Sequence, residues 1–274
     1  MKAHPMTDRY AVIGNPISHS KSPLIHQFFA EQTLQDISYE AIEAPLDGFR
    51  ATIERLVSEG YKGCNVTVPF KLEAFGMCKQ VTGRAKAAEA VNTLFFRDGE
   101  ILGDNTDGAG LLTDIEQNLA RKLLFKKVLL MGAGGAARGV IWQLFNAGTT
   151  ITVVNRSVEK AQQMVSEFAP YGTVIASNYE ALAGKSFDVV VNATSSSLSD
   201  ELPPLPDGIF AAESLAYDMM YGKQTPFLKF AAEQGAGQLA DGLGMLVEQA
   251  AEAFCKWREV RPETAALLVQ LRET

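Results

Sequence analysis

Apolar positions along this chain fall into two alternating patterns, continuous runs of strand length and longer stretches at helical spacing. The clearest instance spans residues 126–157. Lys127-Val128-Leu129-Leu130-Met131 is a short apolar run that stops at Gly132-Ala133-Gly134-Gly135-Ala136-Ala137. Ala137, Val140, Ile141, Leu144, Phe145 and Gly148 then recur at helical spacing, and Ile151 to Asn155 reads as a second strand. A strand that hands over to an amphipathic helix through G-x-G-x-x-A predicts a dinucleotide-binding turn. Gly132 makes the tight turn, Gly134 presents no Cβ to a pyrophosphate, and the free N–H groups of the first helical turn face the phosphates. Gly132, Ala133, Gly134, Gly135 and Ala136 are therefore candidate cofactor-binding residues.

The same alternation extends both ways. Upstream, Arg9 to Gly14 predicts a first strand, followed by a polar loop and a helix start with Ser22 as N-cap and Pro23 as first helical residue. Ser38 to Ala44 reads as a strand, Phe49 to Ser58 as a helix with Phe49, Ile53, Leu56 and Val57 inward, and Gly63 to Pro69 as a strand. Thr82 to Ala90 is a further helix. Asn92 to Arg97 and Glu100 to Leu102 form a hairpin around Asp98-Gly99. Asp104 to Gly108 then opens a helix carrying Leu111, Leu112, Ile115 and Leu119. Downstream, strands are expected at Thr173 to Ala176, Asp188 to Thr194, Ser214 to Asp218 and Gly237 to Ala240, which completes six for a dinucleotide fold. Leu243 to Thr274 contains two helices, the second starting at Pro262, and is too short for a domain of its own. The fold class is α/β, in two domains: a mostly parallel N-terminal domain over 1–107 and a doubly wound Rossmann-type domain over 108–242. The helices of 243–274 pack back on one of them.

The residues after the second Rossmann strand bear on the choice of cofactor. Where an NAD enzyme carries an acid to hold the ribose 2′-OH, this chain has Asn155, followed by Arg156, Ser157 and, one turn later, Lys160. An amide, a guanidinium, a hydroxyl and an ammonium suit a 2′-phosphate, with no carboxylate to repel it, so NADP is preferred over NAD. Ser157 also reads as the cap of a helix over Val158 to Phe168.

Composition narrows the setting. The 274 residues are 47% hydrophobic and carry a net charge of −7, which disfavours electrostatic binding to nucleic acid or anionic membrane. No apolar stretch approaches the roughly 20 residues a bilayer requires, and Met1 to Asp8 lack the apolar core of a signal peptide. Cys64, Cys78 and Cys255 are scattered singly, as are His4, His19 and His26, which argues for a reducing compartment and against a structural metal. The cytoplasm is the expected location.

Hydride transfer needs a group that handles the proton of the alcohol or carbonyl. Lys71, just after Asn65-Val66-Thr67-Val68-Pro69-Phe70, and Asp107, at a loop-to-helix junction, are the candidates. From the residues alone, Lys71 reads equally as a solvated first-turn lysine, Asp107 as an N-cap, Ser18 and Ser20 as loop hydroxyls, and Asn65 and Asn92 as turn residues.

Together these segments resemble the shikimate dehydrogenase family, from Tyr10 to about Ala251. Gly14 to Pro23 resembles the family's substrate loop, Asn65 to Lys71 its catalytic lysine segment, and Gly103 to Gly108 its aspartate segment. Gly132 to Ala137 and Asn155 to Ser157 resemble its NADP site, as do Asn192 to Ser195, Tyr217 to Gly222 and Asp241 to Ala250. The resemblance implies that Ser18, Ser20, Thr67, Asn92, Asp107, Tyr221 and Gln249 bind the carboxylate and hydroxyls of shikimate, with Lys71 and Asp107 at the reacting oxygen. It adds Thr194, Met219 and Gly242 to the cofactor side. It further implies that the C-terminal helices return to the first domain, that the two domains flank a cleft, and that the reaction is the NADP-linked reduction of 3-dehydroshikimate on the route to chorismate and the aromatic amino acids. The expected partner is that small molecule alone, bound by a monomer or homodimer. Ser197, where the family's run usually continues with Gly, and a short Gly222 to Pro226 turn depart from the pattern near the nicotinamide side. A quinate/shikimate enzyme accepting NAD, and a nucleotide-binding sensor that has lost catalysis, are the alternatives.

Overall fold

The computed structural model describes residues 7–196 and 200–273, so Ser197 lies outside the described residues. The chain folds as two compact units, one of Met1–Thr106 with Val247–Thr274, the other of Asp107–Leu246.

The first unit is built on β1 (Asp8–Gly14), α1 (Ser22–Thr33), β2 (Ile37–Glu43), α2 (Phe49–Ser58), β3 (Gly63–Val66), α3 (Lys71–Met77), β4 (Gln80–Val81), α4 (Gly83–Ala88), β5 (Thr93–Arg97) and β6 (Glu100–Asp104). The sheet order is β2-β1-β3-β5-β6-β4. β1 runs parallel to β2 and β3, and β4 parallel to β6, while the hairpin β5–β6 lies antiparallel within itself and to β3. Asp98 and Gly99 both take positive φ, 52° and 75°, the conformation a two-residue turn needs to follow the strand twist. Ile13, Phe49, Ile53, Leu56, Phe70 and Leu94 form the core beneath the helices.

Two helix starts differ from the sequence expectation. Ser22 is the first residue of α1 rather than its cap; Lys21 occupies the cap position, and the Ser22 N–H donates to the Ser20 hydroxyl at 3.3 Å. The last helix, α10 (Ala265–Glu273), begins three residues beyond Pro262. Residues 262–264 are tied down first: the Glu263 N–H donates to Gln32 Oε1 (2.7 Å), and the Thr264 hydroxyl to Glu248 Oε1 (2.6 Å).

The second unit contains α5 (Asp107–Thr113), β7 (Lys127–Met131), α6 (Gly135–Asn146), β8 (Thr150–Val154), α7 (Val158–Phe168), β9 (Val174–Ser177), β10 (Phe187–Asn192), β11 (Phe210–Asp218), α8 (Pro226–Glu233) and β12 (Gln238–Ala240). Its sheet is wholly parallel in the order β12-β11-β10-β7-β8-β9. That is the doubly wound dinucleotide arrangement, with its switch point between β7 and β10. Between α5 and β7 the helix widens into a π turn, Asp114–Asn118. There the buried Asp114 carboxylate accepts from the Tyr217 hydroxyl (2.6 Å) and from Asn118 Nδ2 (3.0 Å). Gly244 leaves it room, since a Cβ at that position would stand 2.0 Å from Asp114 Oδ1. Residues 222–226 are more than a turn, because Thr225 caps α8 by accepting from the Leu228 N–H at 3.3 Å. The chain returns to the first unit within α9 (Leu243–Arg258).

His26 gives the first unit a pH dependence. It is fully buried, stacked on Tyr39 at 4.1 Å and 7°, with Phe29, Phe254 and Trp257 around it, and neither ring nitrogen has a partner among the described residues. Burial lowers its pKa from 6.5 to about 3, against a smaller opposing contribution from the Asn65 amide. The folded form thus holds His26 neutral while the unfolded chain takes up a proton below about pH 6.5, so stability is lost as pH falls through the window from about 6.5 towards 3. Between about pH 8 and pH 5 the loss should be about 2 kcal/mol. Urea titrations of the wild type and of His26→Phe across that range check it: the variant should show a dependence flatter by that amount, and parallel slopes would exclude His26.

Candidate functional site

In the first unit, backbone pairing assembles the segments. Loop 15–21 leaves the C-terminal end of β1, and the Asn15 N–H donates to Val68 O (3.1 Å), while the Thr67 N–H donates to Ile13 O (2.9 Å). Asn15 Nδ2 anchors the loop again on Ala44 O at 2.8 Å. The stretch bearing Ser18 and Ser20 is thereby bound to the stretch that carries Thr67 and leads into Lys71. Ser18 is exposed, Ser20 and Thr67 are partly buried, and Lys71 is the partly buried first residue of α3. Its carbonyl accepts from the Val91 N–H (2.9 Å), which sets α3 beside the residue preceding Asn92.

Asn92 is 2% exposed and is the hub of a buried polar cluster. Its Oδ1 accepts from the Thr106 N–H (2.8 Å) and the Thr93 hydroxyl (2.9 Å). Its Nδ2 donates to Thr106 Oγ1 (3.0 Å) and to Gln249 Oε1 (3.3 Å), and the Thr106 hydroxyl is itself 3.3 Å from Gln249 Oε1. Asn65 extends the cluster: its Nδ2 donates to Asn92 O (3.2 Å) and Thr93 Oγ1 (3.1 Å), and its Oδ1 accepts from the Tyr39 hydroxyl (2.8 Å). Residues far apart in sequence thus meet with complementary donors and acceptors, a set suited to a polyhydroxylated ligand. Tyr39, Thr93 and Thr106 are the members that sequence reasoning missed, although Thr106 lies inside the quoted Asp104 to Gly108 segment. Asp107, buried at the head of α5, follows it directly and is the first residue of the second unit. Tyr221 also belongs to the second unit, three residues past β11, and burial raises its phenol pKa.

In the second unit, the candidates gather at the C-terminal ends of the parallel strands, where an open α/β sheet binds ligands. Gly132 takes φ +108°, and a Cβ there would press on Ala193 O at 3.0 Å, so the turn needs glycine. Its N–H donates to Val154 O (2.7 Å). Cβ positions at Gly134 and Gly135 meet open space, and no side chain caps α6 among the described residues. The first-turn N–H groups around Gly135 and Ala136 are donors of the kind a diphosphate takes up at a helix N-terminus, and Ala133 borders them.

Across the switch point, the Thr194 hydroxyl and N–H both donate to Asn192 Oδ1 (2.7 and 3.2 Å), and Met219 N–H donates to Asn192 O (3.0 Å). Asn192 Nδ2 and the Thr225 hydroxyl converge on the buried Asp218 Oδ2 (3.1 and 2.6 Å). Gly242 is compulsory, since a Cβ would stand 2.1 Å from Met219 O. At the end of β8, Asn155 Nδ2 donates to Ser157 O (2.9 Å), and the Arg156 side chain is 90% exposed. Lys160 is also exposed. The expectation of a site free of carboxylates is not met. Arg156 stands 3.7 Å from Glu201, and the Ser157 hydroxyl donates to Glu159 Oε2 (2.7 Å), which lowers the Glu159 pKa. Ser157 occupies the cap position of α7 without capping it, because its hydroxyl is turned to that carboxylate. Among the described residues no three His, Cys, Asp or Glu side chains group as metal ligands, and no helix is long and apolar enough to cross a membrane.

Residues 12–94 match the family model described as shikimate dehydrogenase substrate binding domain, and residues 114–199 match that of shikimate / quinate 5-dehydrogenase. A protein of Methylobacillus flagellatus named shikimate dehydrogenase (NADP(+)) is 57% identical over 97% of this chain and 99% of its own. Among solved structures, the Ael1 enzyme of Pseudomonas putida superposes with a TM-score of 0.91 at 53% identity, over 96% of this chain and 98% of that one. The shikimate 5-dehydrogenase of Thermus thermophilus in complex with NADP(H) and shikimate has a TM-score of 0.86 at 31% identity, over 97% and 99%. With its α/β fold, its dinucleotide turn and relatives matched from end to end, the chain belongs to the shikimate dehydrogenase family.

Proposed function

We propose that this chain is an enzyme interconverting 3-dehydroshikimate and shikimate with NADP, in the cytoplasm and as a monomer or homodimer. One observation carries the reading: the glycine turn with an uncapped helix and the Asn92 cluster stand on a chain 57% identical, over 97% of its length, to a protein named for that activity. The unpaired thiols Cys64, Cys78 and Cys255 suit a reducing compartment.

The bound cofactor would supply or accept the hydride. The residues around it bind, orient and manage the proton. Gly132 to Ala136 seat the diphosphate; Asn155, Arg156, Ser157 and Lys160 take the 2′-phosphate; Thr194, Met219 and Gly242 border the nicotinamide side. The Glu201 and Glu159 contacts are at the surface, where solvent screens them, so a dianionic phosphate displaces them. Ser18, Ser20, Thr67, Asn92, Tyr221 and Gln249 hold the carboxylate and hydroxyls of the substrate. Reduction leaves negative charge on the former carbonyl oxygen. An ammonium from Lys71 that donates to that oxygen lowers the barrier in the transition state, and the Asp107 carboxylate orients it.

Assay of the purified protein with shikimate and quinate, each with NADP and NAD, tests the reading, which requires shikimate with NADP to be the preferred pair. Loss of the cationic grip in Arg156→Ala should weaken NADP by about 1.5 to 3 kcal/mol and NAD much less; equal losses on both would rule out the 2′-phosphate role. Lys71→Ala should lower kcat by about 10²- to 10⁴-fold with a smaller change in KM for shikimate. Asp107→Asn should lower kcat as well, and the double variant should be little worse than the poorer single one. A Lys71→Ala enzyme altered only in KM would make Lys71 a binding residue.

A further inference from the structure

The first unit holds a chain of paired charges that the reading above leaves unused. Asp104, 1% exposed, takes the Arg84 guanidinium on both oxygens (Nε to Oδ1 2.7 Å, Nη2 to Oδ2 2.6 Å). Its Oδ1 also accepts from the Thr82 hydroxyl (2.5 Å) and the Asn105 N–H (2.7 Å). Arg84 Nη2 continues to Glu252 Oε1 at 3.0 Å. Glu252 Oε2 accepts from Arg261 Nη1 (3.0 Å), and Arg261 Nη2 donates to Glu248 Oε2 (2.8 Å). Burial pushes the Asp104 carboxyl pKa up, but the bonds and charge from Arg84 outweigh it and hold the group below its ordinary range.

Stability alone is a poor account of such a chain, because a buried ion pair roughly breaks even against apolar groups of the same size. Its termini explain more. Asp104 lies two residues before Thr106, and the bond from its carboxylate to the Asn105 N–H fixes the turn that aims the Thr106 N–H at Asn92. Glu248 and Glu252 flank Gln249 on α9, four residues apart, and one guanidinium holds both. That bridge braces the turn of α9 that carries Gln249, whose Oε1 lies 3.3 Å from Asn92 Nδ2 and from Thr106 Oγ1. Arg84 joins the two ends, and its planar fork transmits orientation where a point charge would not.

We propose that Arg84, Asp104, Glu252 and Arg261 are positioning residues for substrate recognition, a ladder that locks the Asn105–Thr106 turn and α9 in the register that completes the Asn92–Thr106–Gln249 set. The inference rests on the reading of Asn92 and Gln249 as shikimate-binding residues.

Arg84→Lys keeps the charge and removes the fork. It should raise KM for shikimate about tenfold, the effect of one weakened hydrogen bond to a charged group, with kcat lowered less and KM for NADP within about twofold of wild type. Hydrogen exchange should speed up at Asn105, at Thr106 and along α9 from Val247 to Glu252, with β7 and α6 unchanged. Glu252→Gln, which retains an acceptor for Arg84, should show the same pattern more weakly, and it decides the matter by the same two measurements if Arg84→Lys does not fold. Shikimate KM within about twofold of wild type in the folded variants would overturn the ladder, as would an equal rise in KM for NADP or unchanged exchange at those amides. Should the wild-type protein fail to turn over shikimate, the functional reading falls by itself, and the exchange measurement alone decides whether the ladder positions the turn and the helix.

Discussion

Asn92 is the residue through which most of the first unit is coupled. Its side chain bonds to Thr106 and Gln249, its N–H to Asp104 O (3.1 Å), and its carbonyl accepts from the Val66 N–H (2.8 Å) and from Asn65. Strands β3, β5 and β6 and helix α9 are therefore tied through one residue. In a site this buried, each polar atom left without a partner costs about 1 to 3 kcal/mol, so none of these segments can shift alone. In the role proposed for it, a cluster made this way is stiff before any ligand arrives, which limits the ordering a small hydroxylated acid would have to impose.

The second unit solves the opposite problem. Beneath the strand ends, Asn192, Asp218, Thr194 and Thr225 satisfy one another, and close approach fixes Gly132 against Ala193 and Gly242 against Met219. Above them, the first turn of α6 keeps donors without a capping side chain, and the end of β8 presents Arg156 to solvent. Rigid support under donors that no side chain caps suits an anionic cofactor.

Much of this was legible in the residues because it depends on local rules. β7 at Lys127–Met131 and α7 at Val158–Phe168 are bounded as their apolar spacing indicates, and the Asp98-Gly99 turn takes the two positive φ values that its residue types favour. Helix α2 likewise runs from Phe49 to Ser58. Features that depend on distant partners were not legible. Ser22 resembles a cap until Ser20 is seen to accept its N–H; Pro262 resembles a helix start until Gln32 is seen to hold the next residue; and Ser157 and Arg156 look clear of carboxylates until Glu159 and Glu201 are placed beside them. Thr106 escaped notice because a threonine between an asparagine and an aspartate gives no sign that the amide of Asn92, just before β5, and another from α9 will reach it. The π turn at Asp114–Asn118 is hidden for the same reason, since the tyrosine that engages Asp114 lies 103 positions away.

The two crossing points of the chain, after Thr106 and before Val247, also bear on the order of folding. The second unit is a contiguous stretch, so it can fold as a unit without the residues that follow Leu246. The first unit is split, and the bond from Thr106 to Gln249 closes a loop of 143 residues. Until α9 is released, Asn92 and Thr106 lack one acceptor and Tyr10 lacks the Trp257 ring that covers it at 4.6 Å. A chain cut between Leu246 and Gln249 would therefore keep the contiguous dinucleotide unit attached to a first unit that lacks both Gln249 and Trp257.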